Sequence, residues 1–289
     1  MDWFSIALSC AFFTACADAL SKRIMQGTDE WIAGAVILGL SCLILAPLFL
    51  AQELRPVSWE LLAVLAAALP LEILSYYLFL SAIRIAPLSL TLPLLAFTPA
   101  FTVLTAGAAL GEQITLSGAI GIALVTVGAY LLNANLVHVS ILAPLKAIFT
   151  NPGPRRMLLV AIIWSVTSTL GKQGLLIYGA IPFGFVITAL VCVFFALVGL
   201  ARLRLRLAGS GFKLNSVGLY VAAGLFMAAS QMTHFISLSM APVAYMIAVK
   251  RLSLVFGVMM GWIFFHEENI ANRLVGASIM AAGALLLQI

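Results

Sequence analysis

Lys250 and Arg251 are adjacent basic residues near the middle of an apolar stretch, 241–265. In lipid, an ionisable side chain at such a depth costs about 2.5–3.5 kcal/mol or more, which makes it a functional hypothesis by default. Neighbours on a helix lie about 100° apart, so we expect the two side chains to face different directions. The pair predicts a site for a carboxylate, phosphate or sulfonate. The alternative, which can coexist with it, is a structural ion pair with an acid elsewhere in the membrane.

Glu72 is the acid that could form such a pair, since it lies near the middle of the apolar stretch 59–83. Tyr76 follows one helical turn later on the same face, with Tyr77 beside it. A buried carboxylate here is either a proton carrier or a counter-ion for the basic pair. The sequence leaves both roles open.

His234 lies among apolar residues, three positions after Gln231. A lone histidine in such surroundings is usually a packing residue, but its titration near neutral pH also makes it a candidate for proton coupling. The predicted substrate-binding residues are therefore Lys250, Arg251, Glu72, Tyr76, Tyr77, Gln231 and His234.

Asp18 and Lys22 are four residues apart with the acid first, the order that favours an ion pair on a helix. Such a pair can simply neutralise itself and cap the helix end, or it can gate one mouth of a cavity. The residues predicted for gating or coupling are Asp18, Lys22, Glu72 and His234.

The composition determines which elements must position these residues. Of the 289 residues, 64% are apolar and 9% are charged, whereas soluble domains have about 25% charged residues. Lipid must therefore solvate much of the surface, which restricts the fold to helices or a closed barrel. The apolar runs are continuous and about 20 residues long, as membrane-spanning helices require, and they do not alternate as barrel strands do. The predicted fold is an all-α membrane protein.

Polar, proline and glycine residues divide the chain into ten apolar segments, each a predicted transmembrane helix. The longest connector, 135–155, separates a first five-helix unit, 1–134, from a second, 156–289. An odd number of helices in each unit makes the two units inverted repeats, a hallmark of transporters. The ten segments are 3–24, 31–52, 59–83, 87–110, 114–134, 156–178, 181–204, 214–238, 241–265 and 270–288.

The two units are related in sequence. Residues 86–132 match the chain 155 residues later without a gap, and a looser match relates Lys22 to Lys172. The matched glycines predict close helix packing, and the matched acids, at helix ends, predict a structural role. The longer match pairs Ala86 with Ala241, Pro87 with Pro242, Glu112 with Glu267, Gly121 with Gly276 and Gly128 with Gly283.

Lysine and arginine predict the orientation. Eleven of them lie in or beside the connectors after odd-numbered segments and two, Arg55 and Lys172, on the other side. Positive residues favour the cytoplasm, so both termini are predicted outside. The basic residues form no stripe with interleaved aromatics, which excludes a nucleic-acid partner. The four cysteines lack metal-ligand spacing and His266-Glu267-Glu268 has no second cluster, so we expect free thiols, no metal and no cofactor.

The duplicated five-helix unit, the Ala-Pro before segments 4 and 9, and the Glu after each of them resemble the EamA type of the drug/metabolite transporter (DMT) superfamily. The resemblance covers essentially the whole chain. It implies ten helices, secondary transport of small metabolites and a central cavity between the halves. Many relatives have cytoplasmic termini, whereas the charge count here places both termini outside.

These observations predict a secondary transporter and not an enzyme. We expect alternating access to a midplane cavity in a bacterial inner membrane, with export of a small organic anion or amino-acid-like zwitterion. The predicted partners are this substrate and membrane lipids, with a second copy in a homodimer as an open alternative. The alternatives are an exporter or flippase of amphipathic, lipid-like or drug compounds, a membrane enzyme acting on lipid headgroups, and a channel.

Overall fold

The computed structural model describes residues 2–86, 91–134, 149–205, 217–265 and 270–288, and this part of the chain contains helices and their connections but no strand. Residues 135–148 of the predicted connector, including Lys146, lie outside the described residues. Pro87 and the His266-Glu267-Glu268 group also lie outside them. The elements are α1 (Trp3–Met25), α2 (Glu30–Leu50), α3 (Trp59–Ile85), a 3-10 helix (Leu92–Phe97), α4 (Thr98–Leu110), α5 (Leu116–Ala134), α6 (Pro152–Tyr178), α7 (Ala180–Arg204), α8 (Val217–Met240), α9 (Val243–Lys250), α10 (Ser253–Phe265) and α11 (Ile270–Leu286).

Six of these helices, α1 to α3 and α6 to α8, are long and apolar enough to cross a membrane. Capping residues set several of their ends. The Asp29 carboxylate accepts from Trp31 N at 3.0 Å and the Ser58 hydroxyl from Leu61 N at 3.2 Å, which satisfies backbone donors of the first turns of α2 and α3. Gly111, with φ 66°, ends α4 in the left-handed region.

The fourth predicted segment is not one continuous α-helix. It consists of the 3-10 helix followed by α4, and Pro93 and Pro99 lie in the first turns of these two elements. A proline lacks the N–H that a helix interior needs, but a first turn leaves that group unpaired in any case.

The ninth predicted segment is also divided, although it has no internal proline. α9 ends at Lys250 and α10 begins at Ser253. Between them, Leu252 N donates to Val249 O at 3.0 Å, a three-residue bond of the tighter 3-10 type. The prediction of a single helix over 241–265 was therefore wrong, and the basic pair lies at the break.

The helices pack mainly in pairs that join the two predicted units: α1 with α8, α2 with α7, α3 with α6 and α5 with α11. Glycines let α5 and α11 approach closely. A Cβ added at Gly121 would lie 2.8 Å from Gly283 O, and one at Gly128 would lie 2.8 Å from Gly276 O. Backbones at this separation leave no room for a side chain, as the sequence predicted.

Candidate functional site: the central cavity

A cavity of about 1220 Å³, its open mouth included, lies between the two predicted units. Side chains from α1, α2, α3, α6, α7 and α8 and from the end of α9 line it. Seven of the nine predicted site residues are among them: Asp18, Glu72, Tyr76, Gln231, His234, Lys250 and Arg251.

Arg251 is buried, with 4% of its surface exposed. Its Nη2 donates to Thr98 Oγ1 at 3.0 Å, and its Cζ lies 5.5 Å from the centre of the Trp164 ring. A guanidinium over an indole face is held by cation–π attraction as well as by hydrogen bonding. Nε of Arg251 is buried without a hydrogen-bond partner.

Lys250 also lines the cavity, and its Nζ lies 3.4 Å from His234 Nδ1. An ammonium only donates, so in this contact Nδ1 accepts. The sequence predicted that the two basic side chains face different directions, and in the structure both belong to the lining of the cavity. Both lie next to the end of α9, which ends at Lys250.

The two acids of the cavity make no ion pair with these bases. The Glu72 carboxylate accepts a hydrogen bond from Thr167, and Asp18 lies within electrostatic range of Lys250 and Arg251 without a salt-bridge contact. Within the described ranges, the salt bridges join Arg84 to Glu30 and Arg202 to Asp29, away from the cavity. The alternative of a structural ion pair between Glu72 and the basic pair is therefore not what the structure contains.

The first predicted unit matches the profile of a known family. The match covers residues 2–134 and is to the EamA-like transporter family. The match covers a little under half of the chain, and it shows that this unit is similar to the EamA-like transporter family. This is a family of membrane transporters, and the long apolar helices agree with an integral membrane protein.

The fold of the whole chain matches a known structure. One solved structure, described as the crystal structure of a protein, matches with a TM-score of 0.77 over 98% of this chain and 95% of its own, at 15% identity. That likeness shows a shared fold. No curated protein matches the sequence.

The EamA-like unit supplies both acids of the cavity, Asp18 and Glu72, whereas the bases come from the second half of the chain. Opposite charges therefore face one another across the cavity without touching. A bound molecule that carries charge can complete the interactions that the protein leaves open.

Two predicted site residues lie elsewhere. Tyr77 stacks on Trp31, with ring centres 4.7 Å apart. Lys22 donates to the carbonyl oxygens of Ile83 and, at 3.1 Å, Ala86 at the end of α3. The predicted Asp18–Lys22 pair was therefore wrong, because unpaired helix-end carbonyls attract the ammonium more directly than a carboxylate directed into the cavity.

The lysine of the second unit makes the same kind of contact. Lys172 Nζ donates to Leu238 O at 2.6 Å and to Ala241 O at 3.0 Å, at the end of α8. At the same end of the molecule, Glu112 Oε2 accepts from Val243 N at 2.8 Å and caps α9, in line with the structural role predicted for Glu112.

The sequence interpretation missed the hydroxyl groups of the cavity wall. Thr14 and Ser230 are hydrogen-bonded to each other at 2.8 Å, and Gln231 Nε2 donates to Thr188 Oγ1 at 3.3 Å. A usable signal was present in α6, where Trp164-Ser165-Val166-Thr167-Ser168 interrupts an apolar segment with three hydroxyl groups.

Proposed function

We propose that this protein is a secondary transporter that moves a small polar metabolite, an organic anion or an amino-acid-like zwitterion, by alternating access to the central cavity. The observation that carries the proposal is the separation of charge in the cavity, with Asp18 and Glu72 facing Lys250 and Arg251 without ion pairs. Buried charges normally pair with one another or with a ligand. Export is the direction that we propose.

The packing pairs support two inverted five-helix repeats. A twofold axis that exchanges the units maps α1 with α8 onto α6 with α3, and it maps α2 with α7 and α5 with α11 onto themselves. The contacts of Lys22 and Lys172 follow the same rule, since their carbonyl partners differ by 155 residues in both cases. Such repeats allow a cavity to open alternately to either side.

Interrupted helices at related positions also support alternating access. The 3-10 helix Leu92–Phe97 lies 155 residues before the break that contains Lys250 and Arg251. Transporters commonly place their binding sites at such interruptions, near the midplane of the membrane.

Transport can be tested with the purified full-length chain. A library of metabolites sorted by charge is first ranked by thermal stabilisation, since a ligand at 100 times its dissociation constant adds about 2.7 kcal/mol. The best ligands, radiolabelled, are then followed in counterflow across liposomes that contain the protein. We expect counterflow of an anion or zwitterion above protein-free liposomes. Stabilisation without counterflow for every ligand would contradict a carrier.

We further propose a bacterial inner membrane and both termini outside, supported by the basic residues after α1, α3 and α7. In intact cells, Glu53→Cys between α2 and α3 should react with a membrane-impermeant maleimide, and Arg204→Cys at the end of α7 only after permeabilisation. The opposite pattern would place both termini in the cytoplasm.

An exporter of amphipathic compounds is a second candidate, favoured by a small apolar recess beside the cavity. Leu45, Ile181, Phe185 and Met232 line this recess, and it shares Gln231 and Phe235 with the cavity. If lipid-like compounds stabilise the protein and anions or zwitterions do not, this candidate replaces the first.

A further inference from the structure

Arg251, which lines the cavity, holds a buried donor without a hydrogen-bond partner. Only 4% of the surface of Arg251 is exposed, yet its Nε has no hydrogen-bond partner. Buried polar groups are rarely left unpaired, and an unpaired donor of a charged group is more costly than that of a neutral one. Thr98 and Trp164 hold the guanidinium in place, so Nε is positioned rather than mobile.

Tyr76 holds a second unused group. Its hydroxyl is buried without a partner, on the α3 wall of the same cavity. Its ring packs edge-on against Phe195, with ring centres 5.3 Å apart. Phe79 follows Tyr76 by one helical turn and lies 5.4 Å, centre to centre, from Trp164, whose ring lies below the guanidinium. Two side chains that line the same cavity therefore each carry a buried donor without a partner.

Lys250 differs from Arg251 in its hydrogen bonding and in its burial. Its ammonium contacts His234 Nδ1 at 3.4 Å, and its side chain is only partly buried. A lysine is also a point charge, whereas a guanidinium presents several donors in a fixed plane that suits carboxylate, phosphate and sulfonate oxygens. The observations therefore favour Arg251 as the group that binds an anion directly.

We propose that Arg251 and Tyr76 form an oxyanion pocket in which Nε–H and the phenol O–H both donate to one anionic group of the transported molecule. The indole of Trp164 supports the guanidinium, and the Phe79 ring lies against the Trp164 ring. This pocket rests on the proposed transport function and assigns its anion recognition to two named side chains. Carboxylates, phosphates and sulfonates share the required chemistry.

The pocket is tested by binding to the full-length protein in detergent, measured by isothermal titration calorimetry. The probes are benzoate, phenyl phosphate and benzenesulfonate, with benzamide as the neutral control. Their relative affinities identify the preferred oxyanion. The variants are Arg251→Lys, which keeps the charge but removes Nε, Arg251→Met, Tyr76→Phe, and Lys250→Met for contrast.

We expect at least one anionic probe to bind the unsubstituted protein more tightly than benzamide. Loss of a charge-assisted hydrogen bond should weaken that binding about tenfold or more in both Arg251 variants. Tyr76→Phe should weaken it about threefold to tenfold, and Lys250→Met less than about threefold. If Arg251→Met does not fold, the two milder variants, Arg251→Lys and Tyr76→Phe, decide the question.

Two results would overturn the pocket: a larger loss in Lys250→Met than in the Arg251 variants, or binding of benzamide as tight as that of every anion. If either result is found while counterflow of a solute is still measured, the pocket is contradicted and the transport proposal is kept. If the variants show the expected losses of binding but no solute shows counterflow, the pocket is supported and the transport proposal is contradicted.

Discussion

The two halves of the chain make equivalent contacts where side chains bind backbone groups. Lys22 and Lys172 each donate to two carbonyls at the end of a neighbouring helix, and those carbonyls are 155 residues apart in both cases. Glycines of both halves meet in the same way where α5 packs on α11.

The halves disagree where side chains face the cavity. The positions 155 residues before Lys250 and Arg251 are Leu95 and Ala96, both fully buried in apolar packing. Asp18 corresponds to the uncharged Ser168. The comparison teaches that residues common to both halves build the framework, and that residues present in only one half give the cavity its chemistry. Framework substitutions should therefore change stability, and cavity substitutions should change ligand selection.

The largest effect is expected from the two lysines. Lys22→Met and Lys172→Met each leave helix-end carbonyls unpaired, at about 1–3 kcal/mol for each group. We expect similar falls in thermal stability in detergent for both variants, because both lysines do the same task. Arg23→Met is the matched control, since Arg23 is exposed on the same helix as Lys22. A fall in only one of the two variants would break the equivalence of the halves.

Gly128→Ala should lower stability by about 1–3 kcal/mol, the usual effect of overpacking. Its new Cβ would lie 2.7 Å from Met280 Cγ and 2.8 Å from Gly276 O, and a backbone atom cannot move aside as a flexible side chain can. Gly257→Ala serves as the control, because nothing lies within 4 Å of its added Cβ. Equal unfolding temperatures for the two variants would contradict close packing of α5 on α11.

Asp18→Asn should change which ligand the protein prefers more than it changes the stability of the protein. Removing the carboxylate takes away the group that can pair with a ligand ammonium, and it removes repulsion of a ligand anion. We expect the ratio of anion affinity to zwitterion affinity to rise about tenfold, which is about 1.4 kcal/mol. Calorimetry with one anion and one zwitterion measures the ratio, with Arg23→Met, an exposed position of the same helix, as control. An unchanged ratio would remove Asp18 from the recognition site.

Arg84→Gln should have the smallest effect. The Arg84–Glu30 bridge, at 2.5 Å, is present in only one half but lies outside the cavity, and the Arg84 side chain is 40% exposed. Exposed ion pairs contribute about 0–1 kcal/mol. We expect a small change in unfolding temperature and no change in ligand affinity. A changed affinity would show that residues unique to one half act beyond the cavity wall.

The sequence predicted those features that depend on regular periodicity and composition. Continuous apolar runs predicted the six helices that are long and apolar enough to cross a membrane, and the shared Gly121 and Gly128 predicted close helix packing, which the structure shows between α5 and α11. Rare ionisable residues in apolar segments drew attention to Asp18, Glu72, His234 and the basic pair, which the structure brings to one cavity.

The sequence could not predict features set by tertiary contacts. The break after Lys250 has no proline to signal it, and the lining of the cavity by both basic side chains depends on how the helices pack. The partners of Lys22 lie more than 60 residues away, so spacing alone favoured the nearer Asp18. Hydroxyl groups such as Thr14 and Ser230 are too common in helices to be recognised as cavity residues before the helices are packed.

The pairing of α1 with α8 has a consequence for biogenesis. α8 begins about 190 residues after α1 ends, and a ribosome adds about 5–20 residues per second. The first helix to be inserted therefore waits about 10–40 seconds before its main partner is synthesised. During this interval Asp18 and its neighbours have no completed cavity around them, so the insertion machinery or neighbouring lipids must shelter them. Assembly of the second half is the event that ends this exposure.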